Sequence, residues 1–369
     1  MKSLEIICFT GNSGLTDYAV SLARAVGTRA RLVTAQSLES RFRALGFAVE
    51  TPFRRSRHFP LDVLRFAASL LRRRPEWTLW QGPLKFALLD GLLVRALRAA
   101  GLRCAITIHD VLPHVPRPWS RWTYGFYYRS FERVIVHSNA ALDGARALGV
   151  RAPALVVPHG VYDLFCLSGL DRTSARARLP ALAALPAATP VALFFGHLEA
   201  RKGLFELLAV ARQLKEAGSP LHFLIAGAPS LSAAEQQRLA SECAALPNVL
   251  LQPRRIPFEE VECCFAAADL VLLPYQEGTT SGVLKLAIAF QRPVLASAVG
   301  DLPEEIPARA GLTVPLGADF VPRFADALQQ MLAEPQRWAA GMAAAGERLQ
   351  WPVIAARIEA FLDSKDGHA

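Results

Sequence analysis

Residues 191–208, VALFFGHLEARKGLFELL, decide how this chain is read. A β-branched and aromatic run from Val191 to Phe195 stops at Gly196, and a polar loop follows. Leu204, Leu207 and Leu208 then recur at helical spacing, directly after Arg201, Lys202 and Gly203. Strand, basic loop and helix start, in that order, gather two cations and free backbone N–H groups where an anion can sit. Residues 274–293, PYQEGTTSGVLKLAIAFQRP, repeat the arrangement with Glu277 in place of the cations. One element suits a diphosphate and the other the sugar attached to it.

The same strand–helix rhythm runs outward in both directions. Towards the amino end, strands are predicted at residues 4–9, 30–34, 77–81, 104–108, 134–137 and 154–157. Helices are predicted between them at 17–26, 61–73, 84–100, 119–133 and 140–148. Residues 162–189 lack a strand pattern and read as a linker. Strands resume at 191–195, 221–226, 249–252, 270–273 and 294–296, with helices at 204–217, 233–245, 258–267 and 282–290. Such alternation predicts an α/β chain of two tandem Rossmann-like domains, each a parallel sheet with helices on both faces, facing a cleft. The expected domains are residues 1–165 and 166–350. A last helix within 351–369 is expected to pack back on the first domain.

Size and composition agree. The chain has 369 residues, enough for two ordinary domains, and its 52% apolar content excludes a largely disordered protein. No signal-peptide pattern opens the sequence. The most apolar helical window, 86–97, is interrupted by Asp90 and Arg95. A cytosolic protein, or one bound to the inner face of a membrane, is expected. The six cysteines show no metal-type spacing and read as reduced core thiols. Residues 1–165 carry 23 Lys and Arg against 11 Asp and Glu, whereas the remainder carries 18 against 21. The first half is therefore the basic half and suggests an anionic partner.

Several residues are candidates for chemistry. Gly11-Asn12-Ser13-Gly14 follows the first strand and precedes a helix, so it is either a tight turn or a loop that meets an anion. It is not G-x-G-x-x-G, and no acidic residue ends the second strand, which argues against an NAD site. His109 and Asp110 end the strand CAITI, where open parallel sheets place functional side chains. His114 lies in the proline-rich loop beyond, and His137 and His159 also end strand-like runs, as functional groups or as loop anchors. Gly278-Thr279-Thr280-Ser281-Gly282 exposes N–H groups at a helix start, and Glu277 can accept hydrogen bonds from sugar hydroxyls or cap that helix.

Together these stretches resemble glycosyltransferase family 4, retaining enzymes of the two-Rossmann-domain GT-B fold. The resemblance is carried by GNSG, TIHD, RVIVHSNA with VVPHGV, FFGHLEARKG, LPYQEGTTSGVLKLAIAFQRPVLAS and GDLPEEI, in that order. It implies that Gly14 nears the donor phosphates and acceptor, and that His109 lies beside the reacting sugar. It also implies that Lys202 contacts the diphosphate, that Glu277 reads sugar hydroxyls, and that backbone around Ser281, Gly282 and Val283 cradles the phosphates. Three positions depart from the family, one being Gln291, where a glycine is usual before the Pro-Val pair. His197 stands where an arginine is usual, with Arg201 as a substitute charge. Lys285 or Leu286 stands where a second carboxylate binds ribose.

The resemblance implies sugar transfer from a UDP- or GDP-sugar to a saccharide or lipid-linked acceptor with retained anomeric configuration, in surface polysaccharide synthesis. No cofactor or metal is expected, because Arg201, Lys202 and helix N-termini would stabilise the departing diphosphate. Inversion with Asp110 as base is the rival mechanism. Residues 61–74 (LDVLRFAASLLRRR) and the arginine- and aromatic-rich 117–133 read as peripheral membrane elements or as core helices with solvated arginines. Nucleic-acid binding is not expected. The rival functions are a silent nucleotide-sugar-binding partner of another transferase and a nucleotide-sugar 2-epimerase.

Overall fold

Among the described residues, seven parallel strands build the first sheet and six build the second. The computed structural model describes residues 3–54, 57–113, 116–278, 281–307 and 309–364. It divides into two compact units, residues 1–160 with 349–369, and residues 161–348.

In the first unit the strands are β1 (Leu4–Ile7), β2 (Ala30–Ala35), β3 (Ala48–Phe53), β4 (Trp77–Trp80), β5 (Cys104–Ile108), β6 (Arg133–Val136) and β7 (Ala154–Val156). Between them run α1 (Gly14–Val26), α2 (Phe59–Arg73), α3 (Ala87–Ala99), α4 (Ser120–Tyr128) and α5 (Asn139–Ala147). The order is β3-β2-β1-β4-β5-β6-β7. Strands β1, β4, β5 and β6 are buried along their whole length, as parallel strands covered on both faces must be. The chain winds outward from β1 to β3, returns through α2 to β4, and winds the other way to β7. Right-handed crossovers put α1 on one face and α2 to α5 on the other. Phe66 and Leu70 of α2, Val94 of α3, Tyr127 of α4 and Ala145 of α5 accordingly share one core.

The second unit holds β8 (Val191–Phe195), β9 (His222–Ala226), β10 (Val249–Gln252), β11 (Leu270–Leu273), β12 (Val294–Ser297) and β13 (Gly311–Val314). Its helices are α6 (Arg172–Ala177), α7 (Pro180–Ala183), α8 (Leu204–Glu216), α9 (Ala233–Ala244), α10 (Phe258–Ala267), α11 (Gly282–Ala289), α12 (Leu302–Glu305), α13 (Phe320–Ala333) and α14 (Pro335–Arg348). The order β10-β9-β8-β11-β12-β13 again reverses direction beside the first strand of the unit, between β8 and β11. The final helix, α15 (Trp351–Asp363), belongs to the first unit. It packs on α1, with Glu359 paired to Arg29 at 2.5 Å and Arg357 donating to the Val156 carbonyl at 3.1 Å.

The structure corrects several expectations. Strand β3 was not foreseen because Glu50, Thr51 and Pro52 interrupt its apolar pattern, which an edge strand tolerates. Strand β13 opens at Gly311, where a Cβ would stand 2.0 Å from the Val294 carbonyl. Helix α1 starts at Gly14 rather than residue 17 because Ser13 caps it, accepting from the Thr16 N–H. Helix α3 starts at Ala87, the Asp90 carboxylate taking the N–H groups of Lys85 and Phe86 at 3.0 Å each. Helix α4 ends at Tyr128, five residues short of the expected end, because β6 begins at Arg133. The division falls at residue 160 rather than 165, and the expected linker forms α6 and α7 within the second unit. All six cysteines are free thiols, but Cys166 is exposed rather than part of a core.

Candidate functional site

At the carboxyl end of the second sheet three loops meet backbone to backbone. Gly203, with φ of +72°, ends a tight turn over Ala200–Lys202, and a Cβ there would stand 1.8 Å from the Pro274 carbonyl oxygen. A Cβ on Gly227, beyond β9, would stand 1.6 Å from the Gly196 carbonyl oxygen. Only glycine permits either approach. The Arg201 carbonyl accepts from the Gln276 and Glu277 N–H groups at 2.8 and 3.2 Å, tying the basic turn to the loop after β11. This junction stands at the reversal of strand order between β8 and β11, where open α/β sheets bind ligands.

Side chains converge on Gly196. A Cβ built there would lie 3.6 Å from Lys202 Nζ and 3.5 Å from Val283 Cγ2. Burial pulls the Lys202 ammonium below the usual lysine range, with Arg201 acting the same way and Glu199 opposing. A half-buried cation beside a helix start is a preorganised anion partner. Ser281 caps α11, accepting from the Leu284 N–H at 3.3 Å, and its hydroxyl pairs with that of buried Tyr275 at 3.1 Å. Ser297, at the end of β12, donates to the Tyr275 carbonyl and completes the support.

The candidate residues therefore fall into distinct settings. Lys202, Gly282 and Val283 come together at one corner, with Ser281 beneath. Glu277 is exposed, and its backbone is held by Arg201. Arg201 itself is half exposed and pairs with Glu199, Nε to Oε2 at 2.5 Å, so its charge is already engaged. His197 is exposed, while its neighbour Leu198 is fully buried. Thr280 lies outside the described residues, as does His114. Lys285, at the position of the expected carboxylate, is buried and pairs with Glu305 at 3.0 Å.

In the first unit, His109 lies in a cluster of rings. Its centroid is 4.6 Å from that of Tyr18 and 5.1 Å from that of His137. His159 lies edge-on to Tyr18 at 4.9 Å and tilted to His137 at 5.2 Å, and Trp351 of α15 stands 4.9 Å from Tyr18. A Cβ on Gly160 would lie 2.6 Å from the Trp351 ring. His137 Nδ1 donates to the Val157 carbonyl at 3.0 Å, and His109 Nε2 pairs with Gln81 Oε1 at 3.0 Å. Burial, helped by His137, holds His109 well below the ordinary histidine range, so it is neutral at pH 7. Asp110 is exposed, and its carbonyl accepts from Tyr128. Gly14 is exposed at the first turn of α1. The glycine that the loop requires is Gly11, where a Cβ would stand 2.3 Å from Ser37 Oγ. The sequence did not single out Gly227, Tyr275, Gln81, Tyr18 or Trp351, since each gains its meaning from a partner far away in the chain.

Residues 189–334 match the family described as Glycosyl transferases group 1. Among curated proteins, the chain is 28% identical over 208 residues to a GDP-mannose:glycolipid 4-beta-D-mannosyltransferase of Xanthomonas campestris pv. campestris, covering 56% of this chain and 53% of that one. It is 32% identical over 215 residues to a D-inositol 3-phosphate glycosyltransferase of Corynebacterium aurimucosum, covering 56% and 49%. The matched part thus spans about half the length of these relatives. Among solved structures, Anabaena Alr3699/HepE in complex with UDP and glucose superposes with a TM-score of 0.73 at 17% identity, over 99% of this chain and 100% of that one. The two parallel-sheet Rossmann-like domains are those of the GT-B fold.

Proposed function

We propose that the protein is a glycosyltransferase of the group 1 type that moves a hexose from a nucleotide-sugar to a saccharide or lipid-linked acceptor, with retention and without a metal. One observation carries this reading. Lys202 Nζ and Val283 of the α11 N-terminus meet at Gly196, at the strand-order reversal, within the stretch that matches the transferase family. A diphosphate there receives the Lys202 charge and the N–H groups of Gly282 and Val283. Glu277, in the neighbouring loop, accepts from sugar hydroxyls. His109, kept neutral by burial, positions the reacting sugar by hydrogen bonding rather than by charge.

In the reaction the bond from the anomeric carbon to the phosphate oxygen breaks and a bond to the acceptor oxygen forms. The acceptor proton passes to the departing phosphate. The leaving group's charge is met by Lys202 and the helix start, so turnover is expected to survive EDTA. The glycolipid in the Xanthomonas relative's name and the basic first half support an acceptor held at a membrane, in surface polysaccharide synthesis at the inner face.

Lys202→Ala and Glu277→Ala are each expected to lower turnover at least about tenfold, a loss of about 1.4 kcal/mol of transition-state stabilisation. Nucleotide release that requires an acceptor is the readout. It separates a transferase from an epimerase, which forms product without acceptor, and from a silent binding partner, which releases none. Full activity in both variants overturns the site, and a product of inverted configuration overturns retention.

A further inference from the structure

Helices α2, α3 and α4 cover one face of the first sheet, and each turns large apolar side chains to solvent. Leu64 is 67% exposed on α2, Leu89 is 59% and Leu92 52% exposed on α3, and Trp122 is 60% exposed on α4. Leu61, Phe86 and Trp119 extend the same surface at the starts of these helices. The three helices are neighbours. Phe59 and Phe86 stand 6.4 Å apart with Lys85 over both rings, and Arg95 of α3 stacks on Phe126 of α4 at 4.4 Å. Surface leucines scattered singly need no account, but a stripe on three adjacent helices marks an interaction surface. The outward side of α9 in the second unit is polar by contrast, with Gln236, Gln237, Arg238 and Ser241.

The exposed charges carried by these helices and the residues at their starts have one sign. Arg65 and Arg72 of α2, Arg95 of α3, Arg121 of α4, and Lys85 and Arg117 beside them are exposed. The carboxylates within the three helices are Asp62 and Asp90, and both are buried. Asp62 is locked to Arg54 at 2.6 Å, and Asp90 takes the N–H groups of Lys85 and Phe86. A protein partner's rim would usually mix signs. Leucine and tryptophan among uncompensated cations match the boundary of an anionic bilayer, with apolar tips in the acyl region and guanidinium heads at the phosphates.

Topology fixes where this surface lies. In a parallel unit, α3 and α4 begin at the carboxyl ends of β4 and β5. Helix α2 begins at the same end, because it leads back to the start of β4. His109, directly after β5, is at that end too. We infer that the exposed face of α2, α3 and α4 docks on an anionic phospholipid bilayer, so that a lipid-linked acceptor reaches the His109 end of the first sheet from the membrane. The acceptor clause rests on the transferase reading above, whereas the docking itself does not.

The test is flotation of the full chain with phosphatidylcholine vesicles, with and without phosphatidylglycerol. Binding is expected only with phosphatidylglycerol, falling as salt rises. Replacing Arg65 or Arg121 by Ala should weaken partitioning about fivefold each, equivalent to about 1 kcal/mol per cation near the surface. The double variant Leu89→Glu, Leu92→Glu should weaken it at least about tenfold, with an unchanged melting temperature because both side chains are exposed. Equal binding to neutral vesicles overturns the inference. So do binding that ignores all four substitutions, and a concentration-dependent dimer that the double variant dissolves. Stabilisation by UDP or GDP, read separately by thermal shift, tests the transferase reading without touching this face.

Discussion

Backbone meets backbone at the carboxyl end of the second sheet, Gly203 against Pro274 and Gly227 against Gly196. At the corresponding end of the first sheet, rings meet rings: Tyr18, His109, His137, His159 and Trp351 pack edge-on or tilted at centroid distances of 4.6–6.4 Å. The first arrangement leaves N–H groups and the half-buried Lys202 for an anion. The second keeps an imidazole neutral. In the proposed reaction the first environment suits a diphosphate and the second a reacting sugar ring.

Besides the Ser281, Tyr275 and Ser297 hydroxyls, a charged pair of side chains supports the second sheet's end, Lys285 with Glu305. The Glu305 carboxylate reaches from α12 to the Lys285 ammonium of α11, and Asp301 nearby is pushed up by burial and by Glu305. Removing one member strands the other's charge, so Glu305→Ala should cost about 3–5 kcal/mol. Replacing both, Lys285→Met with Glu305→Leu, should recover most of that loss, as urea unfolding of the three proteins would show. A single variant as stable as the wild type would mean that this end needs no side-chain support, which sharpens the contrast with the ring cluster.

Glycine carries the next largest effect. Gly203→Ala forces a Cβ into the Pro274 carbonyl and should destabilise the second unit by at least about 2 kcal/mol. Gly218 has a similar φ, +76°, but open space around its missing Cβ. Gly218→Ala should therefore cost only the backbone term, about 1–2 kcal/mol. Denaturant midpoints of the two variants separate close approach from dihedral strain. Equal losses would remove the claim that loop contact, rather than turn geometry, fixes Gly203.

The contrast also explains what the sequence disclosed. A junction made by close backbone approach needs glycines and charges within short stretches, and so GHLEARKG and EGTTSG were legible as an anion site. Gly227 was not, because its partner Gly196 lies 31 residues away. The ring cluster draws on α1, three strand ends and α15, which leaves no local pattern. His109, His137 and His159 were visible one by one as strand-end residues, but not as one group. Strand alternation gave both sheets because buried parallel strands are continuous apolar runs. The edge strand β3 escaped because its exposed side removes that signal. The side-chain partner that engages Arg201, Glu199, was in plain view two residues away, yet the geometry that pairs them lies in the turn.

The smallest predicted effect probes how dry the first sheet's end is. Asp17, one residue before Tyr18 in α1, has its carboxyl pushed up to about 7 by burial, with Glu39 adding to the rise and Arg41 opposing it. The positive helix start favours the anion, but burial outweighs it. The unfolded chain releases this proton near 3.8, so between about 4 and 7 the native state holds a proton that the unfolded state has lost. Rising pH therefore destabilises the native state across that window, and the full cost of the ionised, buried carboxylate is reached above it. Asp17→Asn removes the titration. Its melting temperature should exceed the wild type's at about pH 8, and the gap should narrow steadily as pH falls towards 4. Titrating histidines are common to both proteins and cancel in the difference. A gap independent of pH would show that water reaches Asp17, and the ring-packed end would then be no drier than the glycine-built one.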